Sequence, residues 1–161
     1  MPTPEFIVQL RQHVGTMPLW LSGSTAVVVR GVADDTEVLL VQRADNGEWG
    51  PVAGIIDPGE QPHAAAVREV AEEAGVEAVA ERLVWLTVTE TITYDNGDRT
   101  QYIDHVFRCG WVTGDPRPVD GEATRAEFFP VSALPPMTER NVTRIRLALE
   151  NRPEAHFGSV S

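Results

Sequence analysis

Gly54-Ile-Ile-Asp-Pro-Gly-Glu60-Gln-Pro-His-Ala-Ala-Ala-Val-Arg68-Glu69-Val-Ala-Glu72-Glu73-Ala-Gly75-Val76 is the stretch on which the reading of this sequence turns. Its first half is punctuated by Pro and Gly, the composition of a loop whose bare backbone can approach a ligand. Its second half has helical composition and period. On a helix Val67, Val70, Ala71 and Ala74 fall at i, i+3, i+4 and i+7, which predicts one apolar stripe for burial. Glu69, Glu72 and Glu73 then share the other side at i, i+3 and i+4. Like charges at that spacing repel by a few tenths of a kcal/mol per pair, and Arg68 relieves them only in part, through its i+4 relation to Glu72. Two readings follow: a solvated acidic face, or oxygen ligands for a hard cation such as Mg²⁺, which prefers a few carboxylates together with substrate phosphates.

Gly54, Glu60, the Arg68-Glu69-Val70 run, the Glu72-Glu73 pair and the Gly75-Val76 close stand at the fixed gaps of the Nudix box, so the chain is identified as resembling the Nudix hydrolase family. The resemblance implies an α/β fold: a Nudix-type α/β/α sandwich with a mixed β-sheet and a catalytic loop-helix. It implies Glu69, Glu72 and Glu73 as metal ligands, with Mg²⁺ or Mn²⁺ as cofactor, and Glu60 and Arg68 as residues that orient the loop against the helix. One departure stands out. Family members commonly carry Pro-Gly-Gly ahead of the box loop, whereas this chain has Val52-Ala53-Gly54. The residue before the box glycine supplies a carbonyl to the metal in the family, and Ala53 retains that carbonyl with a Cβ that restricts its φ.

Working outward, the 161 residues carry 13 basic and 24 acidic side chains, a net charge of −11, with 42% hydrophobic and 23% charged content. These are the proportions of a globular chain of one main domain. The negative balance disfavours unspecific binding to nucleic acid or an anionic membrane. The lone Cys109 permits no internal disulfide and reads as a buried small hydrophobe, and with no apolar run of membrane-spanning length or signal-peptide order the expectation is a cytoplasmic protein. Three segments are expected: a helical arm at 1–21, the Nudix domain at 22–151 and a frayed tail at 152–161.

In the arm, Thr3 caps a helix begun by Pro4 and stopped by Gly15, packed on the domain or on a second subunit, which makes a homodimer possible. Residues 24–30 and 37–43 read as buried strands joined at Asp34-Asp35. Arg43 ends the second; the resemblance gives that position to substrate phosphate, and the alternative is a pair with Asp45 or Glu48. Trp49 either lines the pocket or anchors the core. Residues 83–94 alternate, with Val84, Leu86, Val88, Ile92 and Tyr94 on one face and Trp85 and four threonines on the other. Asp95-Asn96-Gly97-Asp98 signals a hairpin. Its return strand, 101–112, sets His105 in an apolar row as a hydrogen-bonded core histidine, with Tyr102 and Asp104 on the face open to substrate. Residues 113–127 form a loop. There the family spacing points to Glu122, with Asp120 behind it, as a further metal ligand or base; a solvated carboxylate is the alternative. Thr138 caps a last helix with Val142, Ile145 and Leu149 as its buried stripe.

The resemblance implies a metal-dependent pyrophosphohydrolase. Its substrate is a nucleoside diphosphate linked to a further moiety, or a nucleoside triphosphate. Either Glu73 or Glu122 takes the proton of the attacking water, and Glu69 shares the catalytic cluster. The proline of some ADP-ribose-cleaving members is missing near Thr91 to Thr93, and Tyr94 only weakly matches a diadenosine-polyphosphate signature, so the substrate moiety stays open. The alternatives are a catalytically silent nucleotide-binding module and a metal-stabilised structural domain.

Overall fold

A run of apolar residues buried on both sides sets the centre of the molecule. The computed structural model describes residues 3–160; Met1 and Pro2 of the expected arm and Ser161 of the expected tail lie outside the described residues. Strand β1 (Leu19–Arg30) contains Ala26, Val27, Val28 and Val29, each 6% exposed or less. Successive strand side chains point to opposite faces, so such a run needs a layer on each side. Ala26 and Val28 pack under helix α2 (Pro62–Ala74) with Ala66, Val70 and Ala74. Val27 and Val29 face helix α3 (Glu139–Glu150) with Ile145, Leu147 and Ala148. This is an α/β/α sandwich.

The remaining strands are β2 (Glu37–Arg43), β3 (Trp49–Gly50), β4 (Val52–Ile55), β5 (Glu77–Val88), β6 (Ile92–Thr93), β7 (Arg99–Thr113), β8 (Ala123–Pro130) and β9 (His156–Phe157). The mixed sheet runs β3-β2-β1-β7-β5-β9, with β4 on β1, β6 on β7 and β8 on β2. One edge of β1 is parallel to β7 from Leu19 to Val29; the other is shared, β4 taking Gly23 to Ala26 and β2 taking Val29 and Arg30. The sheet forks there, leaving room for the site. A helix α1 (Glu5–Val14) precedes it, and β1 begins at Leu19, before the expected boundary at 21/22.

Several expectations change. On α2 the buried residues are Ala65, Ala66, Glu69, Val70, Glu73 and Ala74, while Ala71 is exposed. The inward face is rotated from the apolar stripe, because the helix lies partly over a polar site rather than wholly over core. In β5 the register shifts between Leu83 and Trp85, which puts Val84 and Trp85 into the same core. From that bulge onward Thr87 and Thr89 turn inward and Leu86 and Val88 face out. Strand β8 starts at Ala123, shortening the expected loop. Thr3 makes no capping bond; Thr138 does, accepting from Asn141 N at 3.3 Å. Val142 is exposed, and the buried stripe of α3 centres on Ile145 and Ala148.

Residues 152–160 are not a frayed tail. Strand β9 pairs in parallel with Trp85 and Leu86, and the Trp85 indole donates to Gly158 O at 2.8 Å. A buried indole N–H needs such a partner. Arg82 also holds Arg152 O, at 2.8 Å. Among the described residues no helix is long and apolar enough to cross a membrane.

Candidate active site

The site is assembled by the loop that leads into α2. Glu60 N–H donates to Asp57 O, and Glu60 returns a carboxylate oxygen to Asp57 N–H, both at 3.0 Å. Gly59 makes the turn with φ +84°. Arg68, two turns along the helix, grips Glu60 with both prongs of its guanidinium, Nε to Oε1 at 2.7 Å and Nη2 to Oε2 at 2.9 Å. The same side chain reaches Ile55 O at 3.2 Å, Glu69 at 2.8 Å and Glu72 at 3.0 Å. The fork-on-carboxylate geometry adds direction to strength. Arg68 therefore ties loop to helix, and its hydrogen bonds hold the Glu60 carboxyl below the usual carboxylate range.

Glu69 lies against the backbone of Gly54. A Cβ built on Gly54 would stand 2.1 Å from the Glu69 carboxyl, so only glycine leaves that space. Glu69 is 1% exposed and Glu73 is 5% exposed. Burial pushes the Glu69 carboxyl up to about 7 against the pull of Arg68. Burial, then the charges of Glu69, Glu122 and Asp120, push Glu73 up to about 8. Glu72 remains 37% exposed along its side chain.

Glu122 arrives from far along the chain because residues 114–122 are bound to the end of α2. Arg117 N–H donates to Ala74 O at 3.0 Å and Val119 N–H to Glu73 O at 3.3 Å, taking up carbonyls that the helix leaves open. Gly75 ends the helix at φ +64°. Glu122 O in turn accepts from Ala44 N at 2.8 Å, which fixes the loop to the strand end that carries Arg43.

A cavity of about 440 Å³ opens beside these groups. Arg43, Ala53, Gly54, Glu69, Tyr102, Asp104 and Glu122 all line it, so seven expected site residues meet around one cavity. Glu72, Glu73 and Trp49 do not line it. Trp49 anchors core instead, edge-on to Phe129 at 4.9 Å with Arg125 over its ring at 5.2 Å. Arg43 lines the cavity and also pairs with Asp45, Nε to Oδ1 at 2.9 Å. The Tyr102 ring lies on Gly23, whose Cβ would meet it at 3.4 Å, and its hydroxyl sits 3.0 Å from that of Tyr94.

Asp104 was expected to be open to substrate, but it is 2% exposed with its oxygens committed. Thr25 donates to Oδ1 at 2.8 Å, and Arg144 to Oδ2 at 2.6 and 3.1 Å. Arg144, Arg11 and Asp98 also line the cavity, and no spacing signal in the sequence marks them. His105 makes the expected hydrogen bond, its Nδ1 3.0 Å from Gly23 O, but is only half-buried and stands outside the core clusters. Buried Cys109 has its thiol pushed up to about 12.

The donor chemistry suits a divalent cation. Burial raises the pKa of both Glu69 and Glu73, the charge of Glu69 raises that of Glu73 further, and oxygen is the ligand that Mg²⁺ prefers. As placed, however, no three His, Cys, Asp or Glu side chains among the described residues converge as a preformed metal cluster, and Glu69 is turned onto Arg68.

A family model described as NUDIX domain matches residues 23–148. The chain is 33% identical over 126 residues to a MutT-like protein of Streptomyces ambofaciens, covering 78% of this chain and 70% of that protein. It is 30% identical over 148 residues to the 8-oxo-dGDP phosphatase NUDT18 of Homo sapiens, covering 86% of this chain and 43% of that one. It spans only 29% of a Caenorhabditis elegans relative that it matches at 33% identity over 115 residues. Among solved structures, a MutT NUDIX hydrolase of Burkholderia pseudomallei superposes with a TM-score of 0.58 at 26% identity, over 80% of this chain and 98% of that chain.

Proposed function

The chain belongs to the Nudix hydrolase family, and from that premise we propose that it is a metal-dependent pyrophosphohydrolase acting on a nucleoside triphosphate or on a nucleoside diphosphate linked to a further group. The observation that carries this reading is the pair of nearly buried carboxylates, Glu69 and Glu73, on the box helix beside a cavity lined by Arg43 and Glu122. Burying like charges without a compensating cation costs several kcal/mol per ion, so the arrangement is intelligible as a binding site and costly as a structural one. Relatives named for 8-oxo-dGDP and dihydroneopterin triphosphate agree with nucleotide-like substrates.

In this reading Glu69, Glu72, Glu73 and Glu122, with the carbonyl of Ala53, would hold Mg²⁺ or Mn²⁺, which when bound would supply positive charge for the phosphate oxygens and a lowered pKa for water. Arg43 leaves Asp45 to hold a terminal phosphate. Glu73 or Glu122 accepts a proton from water as its oxygen bonds to phosphorus. The bridging P–O bond breaks, and its electron pair leaves with the departing phosphate. Arg68 positions Glu69 and the loop without touching the reacting atoms. We take the cytoplasm as the place of action, which suits a lone thiol and a nucleotide substrate.

The test is release of phosphate, pyrophosphate or nucleotide from a panel of nucleoside triphosphates, nucleotide sugars, ADP-ribose and dinucleoside polyphosphates. It is run with and without Mg²⁺ or Mn²⁺, on the natural protein and on Glu73→Gln. Metal-dependent turnover that falls by orders of magnitude in the variant supports the reading. Nucleotide binding with no turnover on any compound refutes it in favour of a silent binding module.

A further inference from the structure

The turn between β2 and β3 sets a carboxylate on the arginine that the hydrolase reading gives to phosphate. Its backbone is closed from within: Arg43 N–H donates to Glu48 O at 2.9 Å, and Gly47 N–H, on a residue at φ +73°, donates to Arg43 O at 3.0 Å. Asn46 Oδ1 accepts from Glu48 N–H at 3.0 Å, a turn that asparagine makes with the backbone two residues on. Helix α3 holds the β3 side, where Asn141 Nδ2 donates to Trp49 O at 3.2 Å. The turn so fixed puts Asp45 within reach of the Arg43 fork, Nε to Oδ1 at 2.9 Å and Nη2 to Oδ2. Hydrogen bonds from Arg43 hold the Asp45 carboxyl below its ordinary range, so the pair is charged at neutral pH.

We infer that Asp45 is a built-in competitor for substrate phosphate: its carboxylate occupies the Arg43 fork in the empty site, and a phosphate gains that fork only by displacing it. The inference rests on the hydrolase reading for the role of Arg43 and adds the group that contends for it. Three observations carry it. A planar guanidinium grips carboxylate and phosphate oxygens with the same paired donors, so the Nε and Nη2 prongs serve one or the other. Arg43 and Glu122 line the cavity and Asp45 does not, while Ala44 N–H, next to Arg43, donates to Glu122 O at 2.8 Å; the contested fork thus belongs to a residue beside the carboxylate site. The two partners are 57% and 59% exposed along their side chains, so the pair is too weak to lock a rotamer and opens readily to a ligand. An interaction lost alike on binding substrate and on reaching the transition state raises KM and leaves kcat alone.

The probe is imidodiphosphate, a diphosphate whose P–N–P bridge resists hydrolysis, titrated calorimetrically in Mg²⁺ at low ionic strength. Asp45→Asn removes the charge and one prong of the grip, and is expected to lower the Kd about two- to fivefold, the range open to an exposed pair. Arg43→Ala is expected to raise it by about fivefold or more, and adding Asp45→Asn to Arg43→Ala to change nothing further. Asp34→Asn removes an equal charge from the turn ahead of β2 and is expected to leave the Kd as it was. With a nucleoside triphosphate as substrate, Asp45→Asn is expected to lower KM by a similar factor and to hold kcat within about twofold. An unchanged or raised Kd in Asp45→Asn overturns the inference, the latter by making Asp45 a brace for Arg43. An equal gain in the Arg43→Ala background overturns it by tracing the effect to charge alone, and so does a natural protein that binds no imidodiphosphate. The probe is not turned over, so these results judge Asp45 by themselves, and a lack of turnover on every nucleotide refutes the hydrolase reading separately.

Discussion

Replacing Glu73 by glutamine removes a carboxylate that folding makes costly, and the stability of the metal-free protein should report it. The Glu73 carboxyl rises from an unperturbed 4.5 to about 8 in the folded protein, first by burial and then by the charges of Glu69, Glu122 and Asp120. A folded-state pKa above the unfolded one means that the folded protein holds its proton more tightly. The contribution of Glu73 to stability is therefore fullest below pH 4.5, falls as pH rises through the interval, and levels off above pH 8. At about 1.4 kcal/mol per pKa unit the ceiling is near 5 kcal/mol. Glu69 shares the same charge and relaxes by taking up a proton itself, so about 2–4 kcal/mol is expected at pH 8. Urea unfolding in EDTA at pH 5, 6.5 and 8 measures it, as the difference between the natural protein and Glu73→Gln, in which the shared effects of other groups cancel. The variant should be more stable at pH 8 by about 2–4 kcal/mol and nearly equal at pH 5. Adding Mg²⁺ at pH 8 should stabilise the natural protein more than the variant. Equal destabilisation by the variant at both pH values would refute the argument, since it would make Glu73 a packing residue with no charge cost.

Two further outcomes follow from packing. Gly54→Ala places a Cβ 2.1 Å from the carboxyl of Glu69, which is 1% exposed, so that side chain must shift from its place against the loop. Differential scanning calorimetry should show about 1–3 kcal/mol of lost stability, and steady-state assays a loss of ~10²-fold in kcat from the displaced Glu69; a variant with natural activity would mean that the Glu69 position is immaterial. Truncation after Asn151 removes β9 and the Gly158 carbonyl that satisfies the Trp85 indole. The midpoint of thermal unfolding should fall by several degrees, the shift expected for about 1–2 kcal/mol in a chain of this size. An unchanged midpoint would show that the strand adds nothing.

What could be read in the sequence was what is local along the chain. The box from Gly54 to Val76, the cap at Thr138 and the hairpin at Asn96-Gly97 are set by neighbours a few residues apart, and each is found in the structure. The apolar run of β1 likewise announced a strand covered on both sides. Misreadings arose where one register or rotation decides everything. Periodicity fixes that α2 has two faces, but the packing of its neighbours turned Glu69 and Glu73 inward and Ala71 out. In β5 the expected division of Trp85, Thr87 and Thr89 from Leu86 and Val88 holds beyond the bulge after Leu83, and Val84 leaves its row to join Trp85 in the core.

By itself, then, the sequence determined the fold class, the family and the chemical type of the site, because those depend on residue kinds at short fixed spacing. The tertiary structure alone decided which glutamates lose their solvent, that Asp104 belongs to Arg144 and Thr25, that Trp49 serves the core, and that α1 lines the cavity. Those contacts join residues tens of positions apart, such as Arg11 with Arg99 and Asp104 with Arg144. Such pairs form only when the strands between them are in register, and no local pattern encodes that register.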